Sequence, residues 1–252
     1  MTITFVCATN DHAILRNNLL ASPDLQRGCG HEMLFQQGYS SAAKAYNDAI
    51  DTSANDLMVF LHQDIYLPEG WISRLMECVQ TLNRKDHTWG VAGCWGVCKN
   101  SRCWGHVRSS GLGVLGCEFS DPQEVQTLDE IVLVTRKSSG LRFDEGLNHF
   151  HWYGTALCLT ARDRGMRSYA ISAFCVHNSR YSFALPTEFF EGYRYVKGKW
   201  KHHLPIVSPC IRITRFDQDL IGRRLREMFH QVFSDIEIVS RVDDPRSLLE
   251  SE

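Results

Sequence analysis

Apolar positions along this chain fall into short blocks whose spacing alternates between strand-like and helix-like. Residues 2–8 are apolar and β-prone, and Thr9-Asn10-Asp11 ends the block. Asp11 is placed to cap a helix through Ile14, Leu15, Leu19 and Leu20, which Ser22-Pro23 stops. Residues 32–35 read as a second strand. Ser40-Ser41 then opens a helix whose apolar positions Ala42, Tyr46, Ala49 and Ile50 keep helical spacing. Residues 57–61 form an unbroken apolar run with aromatic and β-branched members, the pattern of a strand buried on both faces. Pro68 stands near the start of a further helix carrying Trp71, Leu75, Met76, Val79 and Leu82.

Strands alternating with helices predict a mixed, mainly parallel central sheet with helices on its faces. Residues 89–97, 130–136 and 167–176 read as additional strands, and 155–164 as a helix stopped by Gly165. Residues 98–127 are rich in Gly and Ser without clear period, which leaves a loop over the crevice or a small hairpin. Beyond Arg215 the composition changes. Leu220, Ile221, Leu225, Met228, Phe229, Val232 and Phe233 line one face of a helix over 219–233. That face docks on the domain, forms a homodimer contact or, less readily because acids are interspersed, lies on a membrane surface. The expected organisation is an α/β domain over 1–215 and a C-terminal helical extension over 216–252.

Length and charge narrow the function classes. A chain of 252 residues buries a sizeable core without a disulfide or structural metal. A formal net charge of −2 provides no global field for nucleic acid, so no nucleic-acid partner is expected. No apolar run is long enough for a membrane span, and the first residues lack a basic segment followed by an apolar core. A cytoplasmic protein is therefore expected. The ten cysteines lie inside apolar segments or singly in loops, and Cys94, Cys98 and Cys103 lack the paired spacing of a zinc site. They are expected to act as small buried hydrophobes.

Candidate chemistry concentrates where the apolar run at 57–61 stops, at His62-Gln63-Asp64. A carboxylate at the end of a buried strand is costly unless something pairs with it. Ligands of open α/β sheets sit at the carboxyl ends of the strands. Asp64 is thus a metal or substrate contact, or else the cap of the following turn. His177, at the end of the last predicted strand, is the imidazole available to complete a Mn²⁺ or Mg²⁺ shell, or is a structural histidine. Strand alternation turns His62 away from Gln63. The helix opened by Ser40-Ser41 carries Lys44 and Asn47 three residues apart, an arrangement suited to a diphosphate or to a capped surface helix. Two acidic pairs, Asp129-Glu130 and Asp144-Glu145, are placed to supply a general base or to cap turns.

The order of these motifs resembles the nucleotide-sugar-dependent glycosyltransferases of GT-A fold, specifically their family-two-like bacterial branch. The resemblance rests on SAAKAYNDAI, DLMVFLHQDIYLP with HQD where that family has D-x-D, TLDEIVLVTR, LRFDEGL, FHWYGTALCLTARDRG and HNS. It runs from about residue 2 to 179 and more loosely to about 210. It implies that Ala8, Thr9 and Asn10 line the base and ribose. Gln36 and Gln37 stand where the family has Asp-Asp-Gly, and Gln63 lies within the HQD motif beside the donor. Lys44 would approach the diphosphate, and Asp64 and His177 would hold Mn²⁺ or Mg²⁺. The family's catalytic Glu-Asp-x-Asp-Leu is replaced by Tyr153-Gly154-Thr155-Ala156-Leu157, so Glu130, Asp129 or His151 would substitute as base. Asp144 and Glu145 are further alternatives. The implied reaction moves a sugar, with inversion, from a nucleoside diphosphate sugar to a hydroxyl of a glycan or lipid-linked acceptor. A non-catalytic nucleotide-sugar or glycan-binding module of the same fold is the alternative that the missing carboxylate favours.

Overall fold

The structure, a computed structural model, describes residues 1–180, 185–233 and 241–249, with the backbone alone for 228–233. In chain order the first strands are β1 (Ile3–Ala8), β2 (Glu32–Gln36), β3 (Leu57–His62), β4 (Ile65–Tyr66) and β5 (Val91–Gly93). Then come β6 (Trp95–Val97), β7 (Cys103–Ser109), β8 (Gly113–Gly116), β9 (Gln123–Val125) and β10 (Thr127–Leu128). The last are β11 (Val132–Arg136), β12 (Ser168–Ala170), β13 (Cys175–His177), β14 (Ile206–Val207) and β15 (Arg212–Ile213). The helices are α1 (His12–Asn17), α2 (Ala42–Thr52), α3 (Trp71–Lys85), α4 (Tyr153–Asp163), α5 (Thr187–Lys199) and α6 (Gln218–Phe233).

The central sheet has strand order β2-β1-β3-β11-β5-β12-β9. β2, β1, β3, β5 and β12 run one way, and β11 and β9 run against them, so the sheet is mixed and mainly parallel. β3 is central because its side chains are apolar on both faces. Met58 and Phe60 enter the core under α2, α4 and α5, and Leu57, Val59 and Leu61 enter the core under α3. α2 starts where expected, with Ser41 capping through its hydroxyl, and Asp11 caps α1 by accepting from Ala13 N and Ile14 N. α1 is shorter than the periodicity predicts. Asn18 leaves the helical conformation and its side chain bonds back to Ile14 O at 2.8 Å, after which residues 19–21 form a separate 3₁₀ turn.

Two runs that read as single strands are each divided between two sheets. Residues 89–97 break at Cys94 into β5, in the central sheet, and β6, in a second sheet of order β10-β6-β7-β13-β4 with β8 paired to β7. Residues 167–176 break likewise into β12 and β13. Between them, Ser172 O accepts from Arg74 Nε at 2.8 Å and Ala173 O from Trp71 Nε1 at 3.3 Å, so α3 holds the crossing segment. Apolar run length reports burial, not which partners a strand takes, and so missed both breaks. The unassigned 98–127 stretch holds the β7–β8 hairpin and β9.

α5 was not anticipated, although its buried Phe189, Gly192, Tyr193 and Val196 keep helical spacing. The chain beyond 215 is tied to what precedes it. Tyr193 OH donates to Asp217 at 2.6 Å, and Arg212 pairs with Asp219 at 2.8 Å. On α6, Ile221 and Leu225 remain exposed, and the side chains of Met228, Phe229, Val232 and Phe233 lie outside the described residues. All ten cysteines are free, with Cys7, Cys78, Cys94, Cys158 and Cys175 buried and the rest half-buried or exposed. No helix of the described residues is long and apolar enough to cross a membrane.

Candidate active site

β3 ends at His62 and turns through Gln63-Asp64 into β4. β4 pairs antiparallel with β13 in a register that sets His177 opposite Ile65. Asn178 N–H then donates to Asp64 O at 2.9 Å, which locks the turn to the end of β13. This pairing brings Asp64 Oδ1 within 3.4 Å of His177 Nε2 and 4.0 Å of His62 Nδ1. The two imidazole centroids lie 5.5 Å apart. The ligand atoms of His62, Asp64 and His177 all lie within 4.8 Å of one another, close enough to share one ion.

A hydrogen-bond chain fixes the His62 tautomer. Tyr153 OH, at the start of α4, donates to Glu130 O at 3.1 Å and therefore accepts from His62 Nε2 at 2.8 Å. The proton is thereby placed on Nε2, and the Nδ1 lone pair faces Asp64. Burial, then the neighbouring His177, lowers the His62 pKa and keeps the ring neutral. His177 behaves oppositely. Burial acts to lower its pKa, but the hydrogen bond and charge of Asp64 outweigh burial and raise it. Asp64 is itself held well below the usual carboxylate range, because His177, His62 and Arg241 together outweigh its burial.

Arg241 is a residue that reasoning from sequence missed. Its Nη2 donates to Asp64 Oδ2 at 2.9 Å and its Nε to Asn178 O at 2.6 Å. Asn178 is fully buried and holds the segment around Arg241 further, accepting from Val242 N at 2.9 Å and donating to Val242 O at 2.8 Å. It also donates to Asn18 Oδ1 at 2.8 Å. No local pattern announces Arg241, since its partner Asp64 lies in the β3–β4 turn, far away along the chain. His62 did carry a signal: in H-x-D at a strand end, period-two alternation puts both side chains on one side.

Beside the cluster lies a crevice of about 390 Å³, in the range of small-ligand sites. Ala8, Thr9, Asn10 and Gln36 line it from the ends of β1 and β2, and Tyr39 and Phe150 add aromatic faces. Gln63 lines it too, but its amide is committed: Oε1 accepts from Thr9 Oγ1, Asn10 N and Asp11 N, and Nε2 donates to Asn10 Oδ1. Gln37 is exposed and contacts His12 Nε2 at 3.4 Å. Lys44 is exposed and does not line the crevice. Asn47, on the same helix, is buried and bonds to both backbone groups of Phe143 and to Glu145 Oε1. The Lys44–Asn47 pair thus does not converge on an anion site. A larger cavity of about 980 Å³ opens between α5 and β15, but among the described residues no carboxylate–imidazole cluster lines it, so the chemistry is assigned to the smaller crevice.

Glu130 approaches the start of α4, where the missing carboxylate was expected. Its Oε1 accepts from Gly154 N at 3.3 Å. A Cβ at position 154 would stand 3.0 Å from Glu130 Cγ and 3.0 Å from Leu128 O, so glycine there leaves room for the incoming side chain. Burial, then Asp129 beside it, raises the Glu130 pKa well above the usual range. Asp129 is close enough to raise the pKa of both His62 and His177. His151 packs against Phe189 with ring centroids 5.9 Å apart, and its pKa is lowered by burial and by His149, against the opposing pull of Glu188. Asp144 is bound to Lys199 at 2.7 Å, and Glu145 to Asn47, which makes both structural ties.

A mixed sheet with an acid–imidazole cluster and a crevice at its strand ends is the arrangement of a GT-A-type glycosyltransferase. Residues 4–191 match the model of a glycosyltransferase-like family, and the chain belongs to that family. GalNAc-T7, solved with UDP, GalNAc and Mn²⁺, shares the fold at a TM-score of 0.52 and 10% identity, over 92% of this chain and 56% of that one. TarS of S. aureus is similar at a TM-score of 0.49 and 16% identity, over 93% of this chain and 44% of that one. A protein of Fuscovulum blasticum described as "ATP synthase subunits region ORF 6" is 30% identical over 133 residues, 49% of this chain. The chain matches about half the length of that curated relative.

Proposed function

We propose that the protein transfers a sugar from a nucleoside diphosphate sugar to a hydroxyl of a glycan or lipid-linked acceptor, with inversion. The observation that carries this reading is the His62–Asp64–His177 cluster at the mouth of the crevice lined by the ends of β1 and β2. Two imidazoles and one carboxylate suit Mn²⁺ better than Mg²⁺, which prefers an all-oxygen shell. An ion held there would neutralise charge developing on the departing diphosphate. The donor class and ion resemble those in the GalNAc-T7 structure.

The chain's own residues divide the remaining tasks. Tyr153 orients His62 and keeps its Nδ1 unprotonated. Arg241 adds a guanidinium beside Asp64, where a diphosphate would otherwise meet a carboxylate. Tyr39 and Phe150 offer faces on which a nucleobase stacks. Asp129 would take the acceptor proton, or Glu130 would do so once the pH exceeds its raised pKa. The approach of Glu130 to Gly154 supports a working enzyme, because it returns a carboxylate to the start of α4. The exposed Ile221 and Leu225 of α6 are proposed as a homodimer contact.

Calorimetry with a panel of nucleoside diphosphate sugars, with and without Mn²⁺, tests donor binding, and a donor-hydrolysis assay tests turnover. Asp64→Ala is expected to abolish metal-dependent binding with the fold intact by circular dichroism; unchanged affinity would remove Asp64 from the site. Metal-dependent binding without transfer or hydrolysis would instead establish the binding-module reading.

A further inference from the structure

Away from the crevice, the C-terminus of α4 meets the 3₁₀ turn Lys201–His203 that follows α5. Asp163 is the last residue of α4. Its Oδ1 lies 3.0 Å from His202 Nε2 and 2.6 Å from His203 Nε2, and the two rings have centroids 4.3 Å apart. Its Oδ2 accepts the indole N–H of Trp200 at 3.0 Å, and Trp200 is buried.

We propose that Asp163, His202 and His203 form a second, structural divalent-cation site of zinc-like preference that clips the end of α4 to the turn after α5. The donor chemistry fits: two imidazole nitrogens and one carboxylate, with water completing a tetrahedron on the solvent side. The spacing fits too. The three ligand atoms lie within 4.8 Å of one another, and tetrahedral zinc with bonds near 2.0–2.1 Å needs ligand atoms about 3.3 Å apart. The present contacts of 2.6 and 3.0 Å therefore spread by less than an ångström to admit an ion.

Two observations go beyond proximity. The buried indole fixes the carboxylate orientation, as an outer partner does in metal centres, and leaves Oδ1 for the imidazoles. An acid at the last residue of a helix also opposes the helix dipole, and a cation at that place compensates both charges. Binding needs no net proton loss from neutral rings. Each imidazole moves its proton from Nε2 to Nδ1 and presents the Nε2 lone pair to the metal. The cluster borders no part of the crevice lining, so its role is separate from donor binding.

The test is a Zn²⁺ titration of the whole protein by calorimetry, with thermal unfolding alongside. The wild type is expected to bind two ions, Asp64→Asn one, and the double variant His202→Ala, His203→Ala one. Zn²⁺ is expected to raise the unfolding temperature of Asp64→Asn. In an Asp64→Asn, His202→Ala, His203→Ala triple variant that rise should vanish. Trp200→Phe, which keeps the packing but frees Oδ2, is expected to weaken the second site by about 10–100-fold. Co²⁺ should give a tetrahedral visible spectrum in Asp64→Asn and not in the triple variant. Equal stoichiometry and affinity in the wild type and the folded double variant would overturn the proposal. If Asp64→Asn fails to fold, the ion count of wild type against double variant decides alone.

Discussion

Replacing Arg241 by alanine isolates the contact between the 241–249 segment and the site. Two charge-assisted bonds disappear, one to Asp64 Oδ2 at 2.9 Å and one to Asn178 O at 2.6 Å. Such bonds contribute about 1.5–3 kcal/mol each when shielded from water. The side chains of Arg241 and Asp64 are 27% and 13% exposed, so solvent screening trims the sum to about 2–4 kcal/mol. The loss falls on local docking, because Val242 remains joined to Asn178 by two further bonds. Hydrogen exchange at the Val242 amide reads it directly. That amide is expected to exchange roughly 30–800-fold faster, at about tenfold per 1.4 kcal/mol, while β1 and β3 amides keep their protection. Function separates into two signs. Removing a cation beside Asp64 should raise affinity for Mn²⁺ alone and lower affinity for a nucleoside diphosphate. Unchanged Val242 exchange would refute the docking argument. A parallel fall in both affinities would refute the charge argument.

Three other variants probe separate links. Asn178→Ala strips a fully buried amide of bonds to Asn18 and Val242, and is expected to cost about 3 kcal/mol or more, read as a lowered denaturant midpoint. A midpoint shift equivalent to less than about 1 kcal/mol would show those bonds to be replaceable by water. Tyr153→Phe removes the acceptor that sets the His62 tautomer and should weaken Mn²⁺ binding about 10–100-fold with the fold retained; equal affinity would mean His62 is not a ligand. Glu130→Gln tests the raised carboxyl. The folded protein keeps a proton there that the unfolded chain releases around the ordinary glutamate value of 4.5, so wild-type stability is lost as pH rises from that value toward the folded pKa. Glutamine carries no such penalty, and the variant's unfolding temperature relative to wild type should climb from acid to neutral pH; a pH-independent difference would rule out the shift.

The chain's apolar pattern by itself determined the core of the sheet. β1, β2, β3 and β11, and helices α2, α3 and α4, follow from residues whose burial is written in local period: Leu57 to Leu61 alternate between two cores, and Trp71, Leu75, Val79 and Leu82 share one helical face. Asp64 stood out for the same reason, as a charge directly after a doubly buried strand. Only the tertiary structure decided where the long runs at 89–97 and 167–176 divide, because strand pairing depends on partners far along the chain. It also decided which groups surround Asp64. His177 arrives through the β4–β13 register, His62 is oriented by a tyrosine on α4, and Arg241 arrives from the far end of the chain. Lys44 and Asn47 mark the limit of local reasoning. Helical spacing put them on one face, and packing left one in solvent and tied the other to Phe143. Period encodes which side of an element is dry, whereas a site is assembled from side chains whose convergence no local period records.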